Sequence, residues 1–177
     1  MIKEKHPKSR VVFVGPWAGK KLEASRKSVR SEVDFVLTFE EIGAMFEAKG
    51  IDFASLKPDE ADPFTQASSD GRGFAVSGGV AKAVVNCIKA KEPEREVLVE
   101  SAEGLANCKK MLKLAKSGKY DGYLLEGMAC PGGCVAGAGT LLPINRATTA
   151  VTKYTNSYEQ LNANDYQYKE YLERIIS

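Results

Sequence analysis

Four short apolar runs recur along the chain, and none is joined to the next by a tight two-residue turn. They are Val11–Val14 (VVFV), Val33–Phe39 (VDFVLTF), Glu96–Val99 (EVLV) and Tyr120–Leu125 (YDGYLL). Strands separated by helix-length segments pair in parallel, with the helices laid against the sheet. The intervening patterns have the helical period. Glu40–Lys49 (EEIGAMFEAK) sets Ile42, Met45 and Phe46 on one face. Ala81–Lys91 follows a Ser77-Gly78-Gly79 start, and Glu103–Lys116 ends at Ser117-Gly118, where a helix C-terminus belongs. The predicted fold is α/β: a mostly parallel, four-stranded twisted sheet flanked by helices. It occupies residues 1–144, and residues 145–177 form a polar, tyrosine-dotted helical extension. Ile51–Gly73, rich in Asp, Pro, Ser and Gly, reads as a long excursion.

The opening strand leads into Gly15-Pro-Trp-Ala-Gly19-Lys-Lys, the outline of a phosphate-binding loop. The spacing rejects that use. Such a loop needs four residues between its glycines, followed by Gly-Lys and a hydroxyl residue that ligates magnesium. Only Pro16, Trp17 and Ala18 lie between the glycines, Pro16 has no N–H to donate, and Lys21 stands at the hydroxyl position.

Composition excludes several classes. A net charge of +2, with both signs interspersed, supplies no field for nucleic acid or for a membrane surface. No stretch approaches the roughly 18 apolar residues of a membrane span. The leader MIKEKHPKSR lacks the apolar core of a signal peptide. Four cysteines without secretory context point to the reducing cytoplasm.

The most informative stretch follows the last strand: Glu126-Gly-Met-Ala-Cys130-Pro-Gly-Gly-Cys134. Two cysteines lie four apart in a loop too rich in Gly and Pro for a regular helix. They lie at the C-terminal end of a strand, where open α/β sheets place ligands. Gly132 and Gly133 leave backbone N–H groups unshielded for a sulfide or thiolate, bonds that tune a cluster. On the residues alone two readings stand: metal or cluster ligation, or two small thiols in a tight turn. Cys87 and Cys108 fall inside helical patterns and read as core or helix-surface thiols. His6 reads as solvated.

At this loop the sequence resembles the last signature of the iron-only (di-iron) hydrogenase large subunit, C-terminal domain. The Gly15–Ala24 stretch resembles the preceding signature, which runs Gly-Pro-Cys-x-x-Lys-Lys-x-Glu-Ala. Val33–Phe46 and Gly73–Val80 are similar to the same family, so the resemblance covers roughly residues 1 to 142. Gly137-Ala-Gly-Thr-Leu141 looks more like a sensory or regulatory branch than a catalytic one.

The resemblance implies a 4Fe–4S cubane bridged by a cysteine to a di-iron subcluster, where hydrogen is reversibly oxidised to protons and electrons. It implies Cys130 as a cubane ligand and Cys134 as the bridge, with Met128 packed against the di-iron unit. Lys20 matches a hydrogen-bond donor to cyanide, and Glu23 the acid closing that motif. Ser77, Gly132 and Gly133 match cofactor-facing positions. The family's cysteine in the first signature is replaced here by Trp17, and the earlier cysteine motif is not in the sequence. The expectation is a C-terminal lobe that holds no cluster by itself and is inactive alone. Its partners would be a missing N-terminal lobe and an electron-transfer protein. The alternative is a non-catalytic regulatory or scaffold domain. The charged Ile2–His6 segment reads like the end of a helix, as if the chain began partway through a larger domain.

Overall fold

The computed structural model describes residues 2–26, 28–29, 32–57, 67–157 and 162. Parts of the 51–73 excursion and most of the chain beyond 157 lie outside the described residues. The chain divides into two compact units, Met1–Asp62 with Gly137–Leu142, and Pro63–Ala136 with Pro143–Ser177.

The first unit carries α1 (Ile2–Lys5), β1 (Val12–Val14), α2 (Gly19–Ser25), β2 (Phe35–Leu37) and α3 (Phe39–Ala48). β1 and β2 are parallel, with Val12 opposite Phe35 and Val14 opposite Leu37. The single helix α2 makes the crossover that a parallel pair requires. α3 starts as its sequence dictates. Thr38 accepts from the Glu41 N–H, and the Glu41 carboxylate accepts from the Thr38 N–H, a reciprocal capping box. Val12, Phe13 and Phe35 remain 47%, 41% and 57% exposed, so the short sheet keeps apolar surface open.

The second unit carries α4 (Ser69–Arg72), α5 (Gly79–Lys91), β3 (Val99–Glu103), α6 (Leu105–Lys116), β4 (Leu124–Met128) and α7 (Ile144–Asn156). Short 3₁₀ turns lie at Gly73–Ala75 and Cys134–Ala136. β3 and β4 are parallel from Val99 opposite Leu124 to Glu103 opposite Met128, again with one crossover helix, α6. The buried apolar residues Ala81, Ala83, Met111 and Val135 all belong to this unit.

The α/β class and the four parallel strands are as expected, but among the described residues they form two two-stranded sheets, not one of four. Each pair closes over one helical crossover, α2 in the first unit and α6 in the second. The last two strands also start later than expected. Tyr120–Tyr123 is a turn, with the Tyr123 N–H on the Tyr120 carbonyl and Gly122 at φ +80°. The Asp-Gly pair inside YDGYLL is the signal for that turn. β4 therefore begins at Leu124, and its partner begins at Val99.

Asp34 ties the N-terminal helix to the sheet. Its carboxylate accepts from the Val11 N–H at 2.8 Å and pairs with Lys3 at 2.9 Å. The Val11 N–H first, and the Lys3 ammonium after it, hold the Asp34 carboxyl at about 2, against an ordinary 3.8. A lowered carboxyl pKa contributes stability above its unfolded value, and that contribution disappears as pH falls through the folded value. Asp34→Asn should therefore remove the part of the acid-induced destabilisation that falls between about pH 4 and 2. Urea unfolding at stepped pH would measure it, with the wild type losing more stability across that window than the variant.

Candidate functional site

Helix α5 poses a problem that its own sequence cannot solve. It starts at Ser77-Gly78-Gly79, with Gly78 left-handed at φ +85° and no side chain able to cap it. The first N–H groups of a helix have no intrahelical acceptor. The Gly79 N–H reaches the Val76 carbonyl. The Gly78 and Ala81 N–H groups are instead taken by Glu126 in β4, at 2.7 and 3.0 Å. Glu126 is 7% exposed, and both its oxygens are engaged by the positive end of a helix. Hydrogen bonds to a charged partner contribute about 1.5–3 kcal/mol each, so this tie joins strand to helix strongly.

The same two segments hold the cysteine loop. The Ser77 N–H donates to the Gly132 carbonyl at 3.2 Å, one residue before the Gly78 amide that Glu126 engages. Gly133 donates its N–H to the Cys130 carbonyl at 2.9 Å. That N–H closes the turn, so it is not the open donor that the glycine pair suggested. Gly133 lies at φ +92°, and a Cβ there would come 2.6 Å from the Ser77 nitrogen. Only glycine fits. The turn leaves Cys130 half-buried and Cys134 exposed, both as free thiols. Met128, half-buried at the end of β4, accepts at its carbonyl from the Gly104 N–H at 2.8 Å and from the Cys108 thiol at 3.6 Å. Ser77, Met128, Cys130, Gly132, Gly133 and Cys134 thus belong to one unit, and Ser77 is tied directly to the loop.

Lys20, Glu23 and Trp17 belong to the other unit. Lys20 and Glu23 form an ion pair at 2.8 Å, one helical turn apart on α2. Lys21 reaches the Glu41 carboxylate at 2.7 Å; this contact, followed by the Thr38 N–H, lowers the Glu41 pKa. The two neighbouring lysines are therefore not equivalent. Lys21 fastens α2 to α3, while Lys20 extends beside Phe13, 6.0 Å from the ring centre. Trp17 is 43% exposed and lies over Gly19, where an added Cβ would come 2.6 Å from the indole. The N–H groups of Gly15, Lys20 and Lys21 are all bonded to backbone carbonyls and are not open to a phosphate. The Gly139 N–H donates to the Pro16 carbonyl at 2.7 Å, so the glycine segment after the cysteine loop packs on the first motif within this unit.

Glu126 is the residue that sequence reasoning passed over. Two signals could have found it: a helix opening on bare glycines, and an acid inside an apolar strand.

Residues 1–138 match the family described as iron only hydrogenase large subunit, C-terminal domain. The chain is 30% identical over 159 residues to a periplasmic Fe hydrogenase large subunit of Nitratidesulfovibrio vulgaris, covering 72% of this chain and 38% of that protein. An NADP-reducing hydrogenase subunit of Solidesulfovibrio fructosivorans is 29% identical, over 73% of this chain and 27% of its own length. A cytosolic iron-sulfur assembly component 3 of Mus musculus is 28% identical, over 73% and 35%. The chain thus spans between about a quarter and two fifths of these relatives. The fold is similar to that of an FeFe-hydrogenase from Chlamydomonas reinhardtii, at TM-score 0.65 and 22% identity, covering 97% of this chain and 60% of that one.

The close approach at Gly133 makes a prediction with an internal control. Gly122 also has positive φ, at +80°, but nothing lies within 4 Å of a Cβ built there. Gly122→Ala should cost only the left-handed backbone penalty of about 1 kcal/mol. Gly133→Ala should cost at least about 2 kcal/mol more, because the clash is with backbone. Urea denaturation of the two variants would measure the gap.

Proposed function

Because the chain belongs to the family formed by the C-terminal domains of iron only hydrogenase large subunits, we propose that it is the cysteine-loop-bearing portion of a hydrogenase-like protein and does not turn over hydrogen by itself. The parent reaction is the reversible oxidation of H2 to two protons and two electrons. The observation that carries the proposal is Trp17. An indole lies over Gly19 at the position where the family signature has a cysteine, and an indole donates no thiolate.

The residues present do not fit a cubane. Four thiolates hold such a cluster. Cys130 and Cys134 supply two, and among the described residues no group of three or more His, Cys, Asp and Glu side chains is placed to hold a metal ion. In the proposed role Cys130 and Cys134 are the retained iron ligands, completed by thiolates from a further polypeptide segment, with Met128 packed beside them. Lys20 is the inherited donor to a diatomic ligand, held in reserve by Glu23. The open apolar surface of Val12, Phe13 and Phe35 supports a covering segment, since parallel sheets are normally covered on both faces.

A second reading has its own support. The chain is about as similar to a relative named for iron-sulfur assembly as to relatives named as hydrogenases. A cytoplasmic scaffold that keeps the fold and binds a partner is consistent with that. An electron-transfer partner belongs only to the first reading.

Anaerobic reconstitution with iron and sulfide, followed by metal analysis and a hydrogen-evolution assay, tests the proposal. The full chain should retain well below the roughly four irons of a cubane and release no hydrogen. Cys130→Ser and Cys134→Ser should each lower the iron retained. About four irons per chain, or hydrogen evolution by the unmodified chain, would contradict the proposal.

A further inference from the structure

Helix α6 lays one side on the β3–β4 sheet. Met111 is only 5% exposed, and a Cβ built on Gly127 of β4 would meet the Cys108 sulfur at 3.3 Å and the Met111 methyl at 3.9 Å. The other side of the helix is open. Leu105 and Leu112 are 71% and 59% exposed, and Lys109, Lys110, Lys113 and Lys116 are exposed with them. Among the described residues none of these four lysines forms an ion pair.

The exposed residues follow a heptad pattern. Two leucines stand seven apart, and each is followed four residues later by a lysine: Leu105 by Lys109, and Leu112 by Lys116. At 3.6 residues per turn these four side chains fall within an arc of about 60°, on a strip about 16 Å long. The heptad positions on the inner flank, Cys108 and Ala115, are half-buried toward the sheet. Leucine at one heptad position with lysine four later is how a helix recruits a second helix: the leucines pack, and the lysines select a partner of opposite sign. The charge is also segregated. Gly104 to Tyr120 holds five lysines and no acid, in a chain whose 25 basic and 23 acidic residues nearly balance.

We propose that this face of α6 docks an acidic amphipathic helix of a partner protein, its apolar seam on Leu105 and Leu112 and its carboxylates on Lys109 and Lys116. A nucleic-acid strand would use the lysines for phosphates but has no use for two exposed leucines. A bilayer surface calls for an apolar strip with lysines on both margins, whereas here the lysines border the leucines on one side and the sheet lies on the other. The face begins beside the end of β4, where the Gly104 N–H donates to the Met128 carbonyl at 2.8 Å. A docked helix therefore starts next to the strand end that leads into the cysteine loop. The surface requires no iron and stands independently of the proposed hydrogenase lineage.

The test uses the full 177-residue chain without added metal. It is titrated, with fluorescence anisotropy as the readout, against a labelled synthetic heptad-repeat peptide carrying leucine at a and d and glutamate at e and g. The controls are a scrambled peptide of the same composition, the same heptads with lysine in place of glutamate, phosphatidylserine vesicles and polyuridylate. The acidic heptad peptide should bind saturably, at least about tenfold tighter than either control peptide, and more weakly as salt is raised. Lys109→Glu combined with Lys116→Glu should weaken that binding about tenfold or more and should gain binding of the lysine peptide. Leu105→Ser combined with Leu112→Ser should also weaken it about tenfold or more. The two leucines are exposed, so their variant keeps the test decisive if the charge-reversed chain does not fold. No saturable binding, equal binding of the scrambled peptide, or undiminished binding by either double variant would overturn the proposal. Tighter binding to the vesicles or to polyuridylate than to the acidic peptide would assign the face to lipid or nucleic acid and overturn it as well.

Discussion

The carboxylate of Glu126 is the constraint on which the second unit depends. A strand normally offers a neighbouring helix only apolar contact. Here β4 supplies an acid to a helix that begins on glycines and has no cap of its own. The arrangement joins three pieces that the sequence spaces widely: α5, β4 and the loop carrying Cys130 and Cys134. Ser77 and Gly78 are adjacent. One amide holds the cysteine loop at Gly132, and the next holds Glu126. Moving either bond moves the other, so the loop's shape is set by protein contacts before any metal is considered. A turn in which Gly133 tolerates no side chain leaves little freedom for the two thiols to rearrange.

The first unit is organised by charge in a different manner. Lys21 and Glu41 connect α2 to α3, and Asp34 gathers Lys3 and the Val11 N–H at the entrance of the sheet. The exposed Lys21–Glu41 pair contributes little by itself, because water and salt screen it, whereas the Asp34 carboxylate is largely shielded from solvent. Their role is positional. They leave Lys20 beside Phe13, with Glu23 as its partner and Trp17 two residues before the helix that carries it. In the motif that looks like a phosphate loop, the Lys20 and Lys21 amides bond back to Trp17 and Ala18.

Much of this is legible in the sequence, and the failures have physical causes. The longer helices are legible to within about two residues, because apolar spacing and terminal signals such as Ser117-Gly118 act locally, whereas α4 lies in what reads as an excursion and Thr38, the cap of α3, reads as strand. Strand limits are less so. Parallel strands take their ends from their partner, and β3 carries Glu100, Ser101 and Glu103, which no apolar pattern reveals. The division of four strands into two pairs is not legible at all, since an apolar run does not specify its partner. The cysteine loop is evident from glycine, proline and thiol spacing. Its support is not, because Glu126 acts across 45 residues on Ala81. The meeting of α4 with α7 is longer-range still, with Arg72 on Tyr154 across 82 residues.

Amide hydrogen exchange at Gly78 and Ala81 tests the central claim most directly. Amides in the first turn of a helix ordinarily exchange rapidly, since they lack intrahelical acceptors. Bonding to a buried carboxylate should protect both in the wild-type chain. In Glu126→Ala both should exchange at rates near those of an unprotected helix start, and Ser77 should lose protection with them. Equal exchange at the three amides in the two proteins would contradict the claim that Glu126 holds α5 and, through it, the cysteine loop.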